Sequence, residues 1–539
     1  MSQSLKSYNT RGEFYHENDR GDMILNSGLK AGLKNRMLNL ISICGVVGPG
    51  IWLGMGRGLA AGGPAGLLVA FAIVGILVLS MMNSIGEMNS TFDQNFALLG
   101  CRFVSKGFGA TVGIFYCIIW ITNIIAEYTS LTSAMEAYST VVPTYGWYLI
   151  FWFVFTLYQM LDVSWWGEAE YILGFTKLIF LAGYYLFAII YAAGGIKGHS
   201  PGNPFKNFPL NDGFKGIANS FVYAGVFYSG VESLSVIASE ARNPRKAIPT
   251  AVRNTVIRIF YVYFGLSIAY GITVPYNDPT LNNAAGIMSA PMTIAMTNAG
   301  WPGSTYLVTT FIWITCFSSI NTAIYLAARS LYTTSLEGYT PKIFTKVTKN
   351  GIPYVAIHTC HLFGFLSILS YSAGSSVAYS YIVNVTGVAC FIVWTAILYI
   401  HIRFRHGMKA QGMSVDSLSY KTYLFPWSNY VAIVIGVLLT LVQSWSCFKP
   451  FDYKTFIDGY IMLPIFFISW FCYDKFMFHK VGLIKCKEID LVSGRRPDLD
   501  DNVGTELDNE GEVEMVQSEG TEKRITGEKT SSVAKTEEY

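Results

Sequence analysis

Gly45-Val46-Val47-Gly48-Pro49-Gly50 lies in the middle of an apolar stretch read at 38–60, and its reading decides the fold. Three glycines and a proline in six residues weaken a helix at its centre, through backbone entropy and a missing N–H. In hydrocarbon an unpaired amide costs several kcal/mol, so such a break persists only where it lines a polar cavity. A second interrupted run, Tyr223-Ala224-Gly225-Val226-Phe227-Tyr228-Ser229-Gly230, sits in the stretch 216–238. If helices one to five and six to ten form two halves, the interruptions fall at corresponding positions. Paired breaks of this kind point to a secondary-transporter site. Half-helix amino ends aim N–H groups at an anion and freed carbonyls take a cation, so a zwitterion fits both. Glycines in membrane helices also allow close packing; the two runs in register favour the transporter reading.

Working outward, stretches of about 20 mostly apolar residues, the length a bilayer requires, recur along the chain. They are read at 38–60, 65–85, 109–137, 145–163, 170–194, 216–238, 256–274, 304–331, 354–371, 376–400, 429–447 and 456–476. The expectation is an all-α integral membrane protein with twelve transmembrane helices. Composition agrees: 52% of residues are hydrophobic and 14% charged, against about 25% charged in a soluble domain. The polar first residues do not read as a cleavable signal peptide, so the first span is expected to direct insertion itself.

An even number of spans puts both termini on one side. With the amino terminus cytoplasmic, the inner loops hold Arg102, Lys106, Arg242, Arg245, Lys246, Lys342, Lys346, Lys349, Arg403, Arg405, Lys409 and Lys421. The outer loops hold Lys197, Lys206, Lys215, Lys449 and Lys454. That is the positive-inside bias. Residues 1–34 read as a mostly disordered cytoplasmic tail, 35–480 as the transmembrane domain, and 481–539 as an acidic, disordered cytoplasmic tail. Lys6, Lys30 and Lys34 are candidate attachment points for ubiquitin-dependent trafficking machinery, though solvated lysines are the ordinary case.

Buried charge is the second signal. Lys177 follows Gly167 by ten residues in the fifth span, about 15 Å deep, where an ionisable group is a functional hypothesis. The alternative is a side chain that snorkels to the interface. Glu127 and Glu232 read as buried partners or helix-end caps. Glu87, Glu168 and Glu170, near cytoplasmic helix ends, read as structural. His358 and His361 lie three apart on one face, but without a carboxylate cluster they read as packing. Nine cysteines without a C-x-x-C pair argue against a disulfide framework or zinc site. No G-x-x-x-x-G-K-[ST] is present, which argues against ATP-driven pumping. A net charge of +3 suggests no nucleic-acid partner, and no enzyme motif appears in usable context.

Several segments resemble one family. The run Gly45 to Gly50 resembles the broken first helix of the amino acid–polyamine–organocation superfamily, and Gly86-Glu87-Met88 the end of its second helix. Gly167-Glu168-Ala169-Glu170-Tyr171 with Lys177 is similar to its fifth-helix signature. Most specific is Ser239-Glu240-Ala241-Arg242-Asn243-Pro244-Arg245-Lys246-Ala247-Ile248-Pro249, the loop after the sixth helix. Val274 to Pro279, Glu337 to Lys342, Gly351-Ile352-Pro353, Arg403-Phe404-Arg405 and Phe425-Pro426-Trp427 continue the likeness over about residues 30 to 480. Together they resemble the fungal amino acid permeases, the yeast amino acid transporter family, and within it the general low-specificity type.

The resemblance implies a leucine-transporter-type fold of two inverted five-helix repeats plus two helices. It implies proton-coupled amino acid uptake by alternating access at the plasma membrane, with the proton gradient in place of a cofactor. Its substrate carboxylate site maps to Gly48, Pro49, Gly50 and Ile51, and its amino-group site to Val226, Phe227, Tyr228 and Ser229. Proton coupling maps to Lys177, with Ser318 and Ser319 beside it and Glu127 as a buried partner. Many relatives have threonine where Pro49 stands and a small residue where Phe227 stands, which leaves the substrate open. The alternatives are a permease-fold amino acid sensor, for which the short amino-terminal tail is unfavourable, and a permease for choline, a polyamine or S-methylmethionine.

Overall fold

The computed structural model describes residues 15–17, 23–25, 35–41, 43, 47–136, 138–139, 141–161, 163–237, 244–283, 286–348, 350–368, 375–479, 481–493 and 495–496. An antiparallel hairpin, β1 (Tyr15–Glu17) with β2 (Met23–Leu25), lies in the amino-terminal stretch; the remaining named elements are helical. The main helices are α1 (Asn35–Leu40), α2 (Pro49–Thr91), α3 (Lys106–Glu136), α4 (Thr144–Tyr158), α5 (Val163–Ala192) and α6 (Gly213–Tyr228). They continue with α7 (Pro244–Arg258), α8 (Ser304–Leu336), α9 (Tyr354–Leu362), α10 (Ser375–Ala410), α11 (Trp427–Val442) and α12 (Met462–Cys472).

Among the described residues eight helices are long and apolar enough to cross a bilayer, or nine if the bent pair Tyr453–Tyr460 and Met462–Met477 is one span. Helix α5 shows why lipid is the solvent. Ile172, Phe175, Ile179, Leu186 and Ile189 form an outward stripe, each more than half exposed, while Glu170, Lys177, Leu181, Tyr184 and Ala188 face inward and are buried. A water-soluble helix has the opposite polarity. The chain is a multi-pass integral membrane protein.

The segments read separately at 38–60 and 65–85 meet in α2. A straight helix over Gly50–Thr91, 42 residues, would measure about 63 Å, twice a bilayer core. It is hinged instead at Gly63, whose φ of 72° is followed by Pro64. The outer connection supplies what the hinge leaves unpaired: Asn211 N donates to Gly62 O (3.2 Å) and Ala65 N to Pro209 O (3.0 Å).

Helix limits differ from the hydropathy reading at several spans. Helix α7 begins at Pro244, well before 256, and runs through a π-helical segment, Ile259–Phe264, to Thr273. Helix α10 runs on past 400 to Ala410. Helices α4 and α9 stop short of the stretches read for them, α9 passing into a 3₁₀ segment at Phe363–Ile368.

The extension of α10 is held by a buried cluster. Glu87 Oε1 pairs with Arg405 Nε (2.5 Å) and His401 Nε2 (2.9 Å), and Glu87 Oε2 accepts from Arg405 Nη2 and Thr422 N (2.7 Å each). This ties α2, α10 and the 10–11 loop together. Removing one member of a buried pair strands the other charge, at a cost of roughly 3–5 kcal/mol. Arg405→Ala is therefore expected to lower the melting temperature of the purified protein by many degrees. An unchanged melt would show the cluster to be solvated.

Beyond the boundary read at 481, Ile484, Ile489, Leu491 and Arg496 pack against the helices. Ile489 and Leu491 are buried. Ile484 N donates to Val104 O (2.9 Å), and Arg403 holds Phe103 O and Ile484 O. Gln411 donates to Ile489 O (2.7 Å) and Arg496 pairs with Asp93 (2.7 Å). Asp490 pairs with Arg102 (3.4 Å). Burial alone would raise its pKa, but the Ser493 and Val492 amides and Arg102 outweigh it and hold it at about 2. A lowered carboxylate pKa contributes stability that is lost only as pH falls through that value, so this anchor is charged throughout the physiological range. The composition of 484–496 is polar, which hid it from a hydrophobicity-based reading.

Candidate functional site

Both interrupted stretches break. Helix α2 starts at Pro49 behind an extended Gly48 (φ −93°, ψ 179°); Gly45 and Val46 lie outside the described residues. Helix α6 ends at Tyr228, Ser229 is extended, and Gly230 takes φ 94° before a 3₁₀ turn, Val231–Ser233. The second break therefore falls at Ser229–Gly230; Gly225 stays helical, and the Phe391 ring fills the space a Cβ there would need. Glu232 fixes this geometry: its carboxylate accepts from Gly230 N (3.0 and 3.1 Å) and Trp394 Nε1 (3.0 Å). Of the two sequence readings for Glu232, it acts as the cap.

Between the breaks is a cavity. Gly48, Gly50, Ile51, Val226, Phe227 and Ser229 line it, with Glu127 and Ser319 on the wall. Pro49 forms the first residue of α2. Tyr228 does not face the cavity: its hydroxyl donates to Phe71 O (3.1 Å). Phe227 O already accepts from Tyr263 OH (2.7 Å), and Tyr263 OH accepts from Arg258 Nε (2.8 Å). Arg258, fully buried, thus reaches a break carbonyl through one tyrosine. The sequence reading passed over it because it stood at the end of the stretch assigned to the seventh span.

The ionisable residues form two arms that meet on α8. Ser319 Oγ donates to Glu127 Oε2 (2.8 Å) at the cavity wall. Its neighbour Ser318 accepts from Lys177 Nζ (2.8 Å) and donates to Glu170 Oε2 (2.5 Å). Asn321 Nδ2 donates to Glu170 Oε1 (3.0 Å), and Gln159 Nε2 to Asn321 Oδ1 (2.5 Å). Lys177, 1% exposed, points into the bundle, so the snorkelling alternative is excluded. Glu170 is not the helix-end residue the sequence reading took it for. It is fully buried, two turns from Lys177 on the same face of α5, where i and i+7 align. That spacing was the signal that could have found it.

The remaining wall comes from Trp120, Asn123, Ala126 and Ser130 of α3, and from Ile382, Val383 and Thr386 of α10. Of these α3 residues, Trp120, Asn123 and Ser130 share the helical face of Glu127. The α10 residues carried no sequence signal. His361 packs: Tyr128 OH lies 2.6 Å from its Nε2 and Trp152 stacks on its ring. Among the described residues no group of three His, Cys, Asp or Glu side chains is placed to hold a metal. In the loop Ser239–Pro249, residues 239–243 lie outside the described residues.

Residues 38–480 match the family model described as amino acid permease. The chain is 53% identical over 470 residues to an amino-acid permease of Schizosaccharomyces pombe, covering 87% of each chain. It is 40% identical over 479 residues to a general amino acid permease of Saccharomyces cerevisiae, covering 88% of this chain and 86% of that one. A dicarboxylic amino acid permease of the same yeast is 32% identical over 519 residues, covering 92% and 85%. Among solved structures, an Eremococcus coleocola manganese transporter superposes with a TM-score of 0.55 at 13% identity, over 81% of this chain and 92% of that one. At that identity the likeness shows the fold alone.

Proposed function

Since the chain belongs to the amino acid permease family, and is therefore an amino acid transporter and not an enzyme, we propose that it takes up amino acids with protons by alternating access at the plasma membrane. Its architecture in this reading is of the leucine-transporter type, with twelve crossings, two inverted five-helix repeats, two added helices and both termini cytoplasmic. One observation carries the proposal: two broken helices face a single cavity whose wall, through Glu127 and the adjacent Ser319–Ser318 pair, leads to buried Lys177 and Glu170. The substrate carboxylate lies at the amide end of α2 by Gly48, Gly50 and Ile51. The amino group lies at the α6 break by Val226, Phe227 and Ser229. A proton enters on the Lys177–Ser318–Glu170 arm, and closure follows when both ligands are present, since each shifts the equilibrium only by its differential affinity. Ubiquitin-dependent removal from the surface would act through the tails.

Labelled uptake by the purified protein in vesicles tests this directly. An inward proton gradient is expected to drive accumulation, and a protonophore to abolish it; accumulation indifferent to the gradient would refute proton coupling.

The wall also bears on the substrate. Among the described lining residues Glu127 is the one acidic side chain and none is basic. A second substrate carboxylate would find no basic partner in this buried space, and burying it unpaired is costly. Neutral and cationic amino acids are thus expected to compete with labelled substrate at least tenfold better than dicarboxylic ones, an order of magnitude per roughly 1.4 kcal/mol. Equal competition by glutamate would contradict the assignment. Because Glu127 faces the cavity, the same assay includes choline; inhibition by choline but not by amino acids would favour the organic-cation reading.

A further inference from the structure

A second concavity lies between α2, α7 and the 10–11 loop. Leu79 and Met82 of α2 and Val256 of α7 give it an apolar floor; Arg253, Tyr420 and Tyr423 close its polar end. Beside this polar end the 10–11 loop is tied to α2. Tyr420 OH donates to Asn83 Oδ1 (2.6 Å), and Thr422 is held by Glu87 and by Asn83 O (3.1 Å). Arg253 is exposed. It makes no hydrogen bond or ion pair among the described residues, and no described acidic residue lines the groove.

Its setting is the membrane. Arg253 lies five residues into the apolar span Ile248–Thr273, about 7.5 Å from its start, and Ile257 and Phe260 beyond it are at least half exposed. Tyr423 and Trp427, each 73% exposed, mark the interface where aromatic rings collect. A guanidinium at that depth without a protein anion calls for one from the leaflet, and arginine matches phosphate oxygens in pairs. Inorganic phosphate would fill only the polar end and leave the floor uncovered. An amphipathic anion fills both.

We propose that this groove binds an anionic phospholipid, its phosphate on Arg253 and the Tyr423 hydroxyl and its first acyl segment along Leu79, Met82 and Val256. The lipid then braces α7, the helix that carries Arg258 and Tyr263 to the Phe227 carbonyl, against α2.

The test uses the full chain, purified and examined by native mass spectrometry with added phosphatidylserine or phosphatidylcholine. The wild type retains phosphatidylserine preferentially. Arg253→Gln lowers that retention about fivefold, the factor that roughly 1 kcal/mol per membrane-surface cation corresponds to, and Arg253→Lys restores most of it. Lys409→Gln, an exposed cation at the end of α10, leaves retention unchanged, and inorganic phosphate does not displace the lipid. Tyr423→Ala, at a site that packs little, weakens retention even if the Arg253 variant folds poorly. Unaltered retention in both Arg253→Gln and Tyr423→Ala overturns the proposal. So does an equal loss in Lys409→Gln, which would mean diffuse charge, or displacement by phosphate, which would mean a free-anion site. Retention is read without transport, so it stands or falls apart from the uptake mechanism.

Discussion

Vesicles containing the Lys177→Ala protein are expected to exchange labelled amino acid for unlabelled at a measurable rate, yet to accumulate none against a gradient when a proton gradient is imposed. The reason lies in what surrounds the ammonium group. Ser318 both accepts from Lys177 and donates to Glu170, and Asn321 and Gln159 complete the shell. Lys177 is the cation in this set, and alanine leaves nothing there that can change between positive and neutral. With one proton per amino acid the intact protein can concentrate substrate about tenfold per pH unit, each unit being worth about 1.4 kcal/mol; the variant should equilibrate at a ratio of about one. Lys177→Arg separates charge from titration, because a guanidinium keeps its proton. It should preserve folding and lose accumulation. Undiminished uphill uptake in either variant would remove Lys177 from coupling.

Gly48→Ala should raise the KM for substrate by about 5- to 150-fold, the range that roughly 1–3 kcal/mol of overpacking gives. A Cβ at Gly48 would overlap the Glu127 carboxylate and come within 3.0 Å of Ser319 Cβ. The two sides cannot both give way: Ser319 sits within continuous α8, and Glu127 is tied to Ser319. The methyl would therefore displace the first residues of α2, where the substrate carboxylate is proposed to bind. Shortening the opposing side chain in Gly48→Ala/Glu127→Ala should return part of the affinity while leaving coupling impaired. A KM unchanged by Gly48→Ala would move the binding site away from this break.

The contrast between what could and could not be read from the chain follows from which signals are local. Glycine and proline act through their own backbone, so the break at Gly48 was visible; at the second site Gly230, with its positive φ, set the break, while Gly225 stays helical with a phenylalanine from far along the sequence packed on it. Lys177 stood out because a charge in an apolar run is itself anomalous. Glu170 did not, since near the predicted end of a span a carboxylate looks solvated until the facing helix is known. Thr386 and Val383 reach the cavity only through the packing of α10 on α3, which no local pattern encodes. Hydropathy also misplaced the end of α10, because Arg405 is neutralised by Glu87, hundreds of residues away on another helix.

The family match ends at residue 480, but the folded body does not. A protein shortened there would bare the seat that Ile489 occupies against Gly407, where a Cβ would already touch it at 3.1 Å, and would leave Val104 O and Thr91 O without the Ile484 and Arg496 amides. A stop codon, protease site or fluorescent fusion belongs beyond Arg496. One placed at the family boundary would damage the underside of the transporter while seeming to trim only its tail.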